Sequence, residues 1–322
     1  TAKQIVPMSM VFAVALIAFA TLSVQSASAA TKTIKELKIY FVPSKQPDQI
    51  VTATKPLKGL LKAQLKKQGY NVKNVDIKVG TSYEAAGEAL TSGTADVGFI
   101  PGGTYVMYED GVQVLLTATR AGLNKDFTSA AKWNDGKATE PTKKQAATYR
   151  SLFIAGPSAK GQELAKKINA GKKLTWKDLN SAKWGLSSTT SSAGYIYPSL
   201  WLNKNYKKTV TDLSNTVQVD SYGSGMARLA SGQIDILPVY ADARRDFADA
   251  WTKDYKQSKS IWAETNVIGV SQPIYNDTIS VSKKSKIMTK KFKSALSKSF
   301  IKLAKTKEGK KVIAIYSHEG YV

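Results

Sequence analysis

The chain has 322 residues, 47 Lys+Arg against 24 Asp+Glu, a formal charge of +23, no Cys and one His. The missing Cys excludes disulfides, thiolate metal sites and Cys nucleophiles, and a single His near the C-terminus argues against a His-based zinc site or a Ser-His-Asp triad. Only Arg120, Arg150, Arg228, Arg244 and Arg245 are Arg, so the basic excess is Lys spread over the chain, a solvated surface rather than a base-reading groove rich in bidentate guanidinium. Residues 5–24 form an apolar run after Lys3, followed by Ala27-Ser28-Ala29, the small-x-small pattern of a cleaved secretory leader. Residues 1–30 are therefore expected to be a signal peptide rather than an anchor, and no Cys is present to carry a lipid.

Beyond the leader, strand and helix patterns alternate. Lys38–Pro43 reads as a short buried strand, and Leu57, Leu60, Leu61 and Leu65 lie on one helix face between Pro56 and Gly69. Val72, Val75, Ile77 and Val79 read as extended, although the Val72–Val75 spacing breaks strict alternation. A helix over Tyr83–Ser92, a strand at Ala95–Ile100, a helix at about Gly103–Asp110 and a strand over Val112–Thr119 complete a block whose order predicts a sheet with mainly parallel neighbours. Gly122–Thr148 is a polar interruption. A second block follows, with strands at Tyr149–Ala155, Lys183–Ser187, near Val217 and at Asp235–Val239, and helices between and after them, including one over Ala243–Trp251. The tail carries the strand Thr278–Val281 and a helix with Phe292, Leu296, Phe300 and Leu303 on one face. Two α/β lobes with a cleft between them fit this layout.

The most informative segment is Ser187-Ser188-Thr189-Thr190-Ser191-Ser192-Ala193-Gly194. It leaves a strand and opens a helix, so hydroxyl groups and free backbone N–H groups gather at a positive dipole end, which suits an oxyanion. A plain Ser N-cap is the simpler reading, but a cap needs only one such residue.

Ser191-Ser192-Ala193-Gly194-Tyr195-Ile196-Tyr197-Pro198 resembles the Ser-Thr-Ser-Gly-Tyr-Leu-Tyr-Pro signature of phosphonate-binding proteins, the substrate receptors of ABC importers for phosphonate, phosphite and phosphate. Val42–Pro47, Asp96–Tyr105 and Gly232–Asp235 resemble further segments of that family in the same order, and the likeness spans about residues 36–320. The resemblance implies a two-lobed periplasmic-binding-protein fold of type II, with residues 31–148 and 250–322 as lobe I and 149–249 as lobe II. It implies that Tyr83 and Tyr149 face the ligand, that Thr190, Ser191, Ser192, Ala193 and Gly194 hold the phosphoryl oxygens, and that Asp242 and Asp277 are site carboxylates. The sequence departs from the family at Ala193, which replaces a hydroxyl residue, and at Tyr222, which stands where the family often has His. A carboxylate beside an anion selects a ligand bearing a proton or an ammonium group, which suits a P–OH or an aminoalkyl tail. Tyr105, Tyr195, Tyr197 and Tyr240 read as structural, and His318 as a surface or docking residue.

The expected function is capture of a small phosphorus oxyanion by cleft closure outside the cytoplasm and delivery to ABC permease subunits. The protein is expected to act as a monomer without cofactor, metal, catalytic group or specific nucleic acid, with electrostatic contact to an anionic cell envelope as a secondary role. Two rivals differ in class. A phosphate-ester hydrolase lacks a nucleophile–base pair, and the Ser-x-x-Lys matches at Ser129–Lys132 and Ser299–Lys302 are expected by chance among so many Lys. A basic surface protein binding an anionic wall polymer or nucleic acid would rest on the charge alone.

Overall fold

The computed structural model describes residues 31–322, so the leader expected at 1–30 lies outside the described residues. In chain order the strands are β1 (Lys32–Phe41), β2 (Tyr70–Val79), β3 (Val97–Ile100), β4 (Val112–Leu123), β5 (Pro141–Ala146), β6 (Thr148–Tyr149) and β7 (Ser151–Ala155). They continue as β8 (Trp184–Leu186), β9 (Thr216–Gln218), β10 (Ile236–Tyr240), β11 (Asn266–Val270), β12 (Ile274–Tyr275), β13 (Thr278–Ser282) and β14 (Gly320–Tyr321). One sheet has the order β14-β4-β13-β3-β1-β2, with β5 paired to β4, and a second has the order β11-β7-β10-β8-β9. The chain crosses between the sheets at β6 and β12, which pair with each other.

The expectation of mainly parallel neighbours is corrected by this pairing. β1 is parallel to β2 and β3, and β8 to β9 and β10, but β13, β14, β7 and β11 all pair antiparallel to their neighbours. Strands that enter a sheet after a crossing run against those laid down by the local β-α-β units. The second sheet also extends to β11, beyond the boundary at residue 249 expected from sequence. The helix Ala243–Lys253 packs Phe247 and Trp251 into the core beneath that sheet, which keeps the chain there until β12.

Local sequence explains the packing. The helix Leu57–Lys67 buries Leu57, Leu61 and Leu65, which pack in one core with Phe292, Leu296 and Phe300 of the helix Lys290–Leu303. Burying each such side chain is worth about 2 kcal/mol. The irregular Val72–Val75 spacing is matched by its partner strand, since Val72 sits opposite Ile34 and Val75 opposite Leu37, and all four are buried. All five residues of β7 are buried because both faces are covered: Leu152 and Ile154 enter one core, Phe153 and Ala155 the other. Among the described residues no helix is long and apolar enough to cross a membrane.

Candidate functional site

The helix start picked out in the sequence is built around two residues without ordinary substitutes. Pro198 has no N–H to give to the carbonyl of Gly194, and that carbonyl instead accepts the N–H of Ser187 at 3.2 Å. This folds the strand end back over a π-helical turn at Ser192–Ile196 that runs directly into the helix Tyr197–Tyr206. A Cβ on Gly194 would lie 2.2 Å from Ser187 Oγ, so only Gly fits there. Ser191 caps the turn by accepting the N–H of Gly194 at 3.2 Å. The N–H groups of Ser192 and Ala193, as the first residues of the helix, have no intrahelical acceptor.

Contacts from the first sheet's side close onto this turn. Gly103 N–H donates to Ser192 Oγ at 3.1 Å, and Thr104 donates to Thr190 Oγ1 at 3.0 Å. A Cβ on Gly103 would lie 2.4 Å from Ile196 Cδ1 and 2.7 Å from the Thr190 carbonyl, so Gly permits the close approach. Glu84 accepts from Ser188 Oγ at 2.5 Å and from Thr189 Oγ1 at 2.8 Å. Tyr222 N–H reaches the carbonyl of Ser44, and the Lys45 ammonium lies 3.3 Å from Asp246. The two lobes are therefore closed against each other.

Between them lies a cavity of about 40 Å³. A water needs roughly 10–15 Å³ by this measure, so the space admits only a few such groups. Of the residues singled out in the sequence, Tyr83, Tyr149, Ser191, Ser192, Ala193, Tyr222 and Asp277 line it. Thr190 and Gly194 do not. Thr190 is used in the contact with Thr104, and the Gly194 N–H is used by Ser191.

Asp242 also stays outside. It is 3% exposed and caps the helix Ala243–Lys253, accepting the N–H of Arg244 at 3.1 Å, the Arg244 guanidinium at 2.8 Å and the Thr139 hydroxyl at 2.8 Å. Its lone pairs serve the fold. The family-implied role for this carboxylate gives way to that of a cap and ion-pair partner.

Arg120, which sequence reasoning missed, is the main cation in the wall. It extends from β4, is 7% exposed, donates to Asp277 Oδ2 at 3.2 Å, and stacks its guanidinium 4.2 Å from the Tyr149 ring centre. Its Nε and the Oγ of Ser44, another wall residue, are buried without a partner. Such orphaned groups are costly unless something else satisfies them. The one available signal was Arg120 as the only charged residue of the mostly apolar run Val112–Leu123. Arg120 and Tyr149 also border a second cavity of about 420 Å³ beside the β4–β5 hairpin.

His318 is a second correction. It is 2% exposed rather than on the surface, and its Nε2 lies 3.3 Å from Asp277 Oδ2. Burial would raise the Asp277 carboxyl, but the His318 hydrogen bond and the Arg120 charge hold it below its ordinary 3.8. Burial pushes His318 below its ordinary 6.5 against the pull of Asp277. Burial also raises the Tyr83 and Tyr149 hydroxyls well above 10.0 and Tyr222 to about 12, so all three keep their protons at neutral pH. Tyr240, read as structural, lines the cavity too, although its hydroxyl is taken by Asp246 at 2.6 Å. Among the described residues the hydroxyl groups of Tyr83 and Tyr149 donate to no protein acceptor, and no group of three or more His, Asp or Glu gathers as metal ligands.

The shifts at His318 and Asp277 carry a sign for stability. The unfolded chain binds the His318 proton at a higher pH than the native one, so this contribution is complete above 6.5 and is lost as pH falls toward the native value. The Asp277 contribution is present above 3.8 and is lost as pH falls through its lower native value. Both act the same way. The thermal midpoint is expected to fall in two limbs on acidification, and differential scanning calorimetry across this range checks it.

A sequence profile described as ABC transporter, phosphonate, periplasmic substrate-binding protein matches residues 39–322. The chain belongs to that family. It is thereby a member of a family of substrate-binding transport components acting outside the cytoplasm, not of an enzyme family. No curated protein sequence matches the chain. Among solved structures, a binding-protein component of an ABC phosphonate transporter from Pseudomonas aeruginosa is similar with a TM-score of 0.60 at 15% identity, covering 89% of this chain and 80% of that one. PhnD1 from Prochlorococcus marinus, in complex with methylphosphonate, is similar with a TM-score of 0.62 at 15% identity, covering 89% and 92%. The Mycoplasma hyorhinis protein Mh-p37, described as a putative thiamine pyrophosphate transporter, gives 0.63 at 15% identity over 91% and 95%. At such identities the likeness speaks for the fold, a two-lobed α/β binding protein.

Proposed function

We propose that the protein captures a small, proton-bearing phosphorus oxyanion such as phosphite, phosphate or methylphosphonate in this cavity and hands it to the membrane permease of an ABC importer. The observation that carries the reading is the pairing of Arg120 with Asp277 in the wall of a cavity of about 40 Å³ between the lobes, where Arg120 Nε and Ser44 Oγ are buried without a protein partner. The ionised oxygens of the ligand would meet the Arg120 guanidinium, the protonated hydroxyls of Tyr83 and Tyr149, Ser44, and the N–H groups of Ser192 and Ala193. Its P–OH would donate to Asp277. A proton-free oxyanion such as sulfate would face that carboxylate with nothing to donate and be rejected. A longer organic substituent would reach the 420 Å³ cavity only past the Arg120–Tyr149 stack, which favours small ligands. The chemistry is binding and release, without bond cleavage. The +23 charge supports a further role, loose retention at an anionic envelope.

Isothermal titration of residues 31–322 with phosphate, phosphite, methylphosphonate and 2-aminoethylphosphonate, with sulfate as the control, tests this. One-to-one binding of at least one of the small oxyanions and silence from sulfate is the expected result. Equal binding of sulfate would contradict the role of Asp277, and silence from all would remove the phosphorus reading.

Closure supplies a second expectation. Glu84 is the acceptor of two hydroxyl groups across the cleft. Burial alone would raise its carboxyl, but those hydrogen bonds leave it below 4.5 and so charged at neutral pH. Glu84→Ala should weaken ligand binding by about 5-fold, the worth of roughly 1 kcal/mol of part-exposed hydrogen bonding, chiefly through faster release. Stopped-flow dissociation rates would register it.

A further inference from the structure

The last five residues are part of the site's architecture. β14 pairs with β4, setting Gly320 opposite Thr119 and Tyr321 opposite Ala118, and Val322 exchanges backbone hydrogen bonds with Thr117. The same stretch of β4 holds Asp277, whose carbonyl accepts the N–H of Ala118 at 2.9 Å. His318 is thereby laid against Asp277 from outside the cavity. Its Nε2 is 3.3 Å from Oδ2, the oxygen that Arg120 also reaches at 3.2 Å, while Nδ1 lies 3.2 Å from the Tyr321 hydroxyl. Asp277 lines the cavity, and among the described residues no donor reaches its Oδ1.

We propose that His318 is a positioning residue for ligand selection: together with Arg120 it saturates Oδ2 of Asp277, so that the carboxylate meets the ligand through Oδ1 alone, as an acceptor that cannot turn away. The inference rests on the phosphorus-oxyanion reading above and adds the residue that enforces it. The charged and titratable groups facing His318 are Asp277, Arg120, Tyr321 and Tyr316. Burial keeps the ring neutral at neutral pH and keeps the Tyr321 proton in place. One tautomer satisfies every contact. Nε2–H donates to the carboxylate, and Nδ1 accepts from the Tyr321 hydroxyl. The arrangement supplies Asp277 with a second donor without placing a second positive charge beside the ligand. An uncharged donor leaves the carboxylate charge available to attract the ligand's proton, where a Lys or Arg in that place would cancel it.

His318 is the only His in the chain, so its imidazole signal in a proton NMR titration needs no assignment. In the ligand-free protein, Asp277→Asn should lower the His318 pKa further by removing the anion that raises it. Saturation with methylphosphonate should raise the pKa in the wild type, because another anion joins the cluster, and this rise should shrink in Asp277→Asn. In titration calorimetry His318→Leu should weaken binding on the order of 10-fold, the worth of one hydrogen bond to a charged group. His318→Gln, whose amide N–H can replace Nε2–H, should recover most of it. If His318→Leu fails to fold, the NMR comparison and the Gln variant still decide. An imidazole signal that ignores saturating methylphosphonate, or a folded His318→Leu protein that binds like wild type, overturns the inference while leaving the ligand reading intact. Failure of every phosphorus probe to bind, with the Asp277→Asn shift present, overturns the ligand reading and the selection role with it.

Discussion

Arg244→Leu is expected to destabilise the protein by about 3–5 kcal/mol while leaving the ligand affinity of the folded molecules unchanged. Arg244 is 1% exposed, and its guanidinium donates to both oxygens of Asp242 and lies 4.7 Å from the ring centre of Trp262. Removing the cation leaves a buried carboxylate held only by the Thr139 hydroxyl and the helix N–H at residue 244. That carboxylate must then stay charged without a counterion or take up a proton and lose part of its capping strength, and both options are costly. The loss should lower the thermal midpoint on the order of 10 °C in a domain of this size. The double variant Asp242→Asn/Arg244→Leu should recover a large part, because no uncompensated charge remains. Calorimetry on the three proteins, with titration of the folded fraction, checks both halves. A variant of native stability that no longer binds ligand would return Asp242 to the binding site.

The fate of Asp242 marks where sequence reasoning stopped. Motif order located it correctly after the strand β10, but nothing local in Tyr240-Ala241-Asp242 distinguishes a carboxylate that faces a ligand from one that caps the next helix. The Arg two residues later was the available warning, since an Asp N-cap followed by a buried Arg is self-satisfying. The Ser191–Pro198 segment was legible for the opposite reason. Its Gly, its Pro and its hydroxyl residues each have a local job, in the tight fold-back, the freed carbonyl and the cap, so the pattern is dense enough to read. Helix faces such as Leu57–Leu61–Leu65 were legible from periodicity.

Features made by distant pairing were not. β5 is a Lys-rich strand with nearly every residue exposed, so it carries no alternation, and only its pairing with β4 makes it a strand. His318 looks like a tail residue until β14 is seen docked on β4. Arg120 and Asp277 lie far apart in the chain and meet only because β13 and β4 are neighbours. The sequence therefore displays the part of the site that holds an oxyanion by backbone and hydroxyl groups. The charged part, which decides what kind of oxyanion, is assembled by topology.

That charged part predicts the largest loss of binding. Arg120→Gln should weaken binding of the preferred oxyanion roughly 10- to 150-fold, the equivalent of about 1.5–3 kcal/mol for a hydrogen bond to a charged group in a buried site. Gln can still donate one N–H to Asp277, but it brings no charge to balance the ligand, and it abandons the stack on Tyr149. Arg120→Lys keeps the charge and is the sharper test. An ammonium on a flexible stem cannot present the planar fork that reaches Asp277 with one nitrogen while leaving Nε directed elsewhere, and it stacks poorly. Lys should therefore restore less than half of the lost binding energy. Asp277 retains His318 in both variants, so the fold should survive with a modest fall in thermal midpoint. Titration calorimetry and thermal melts on the same samples separate the two effects. If Arg120→Gln binds within about twofold of wild type, the oxyanion is held by the helix start and the Tyr hydroxyls alone, and the pairing of Arg120 with Asp277 belongs to the fold rather than to recognition.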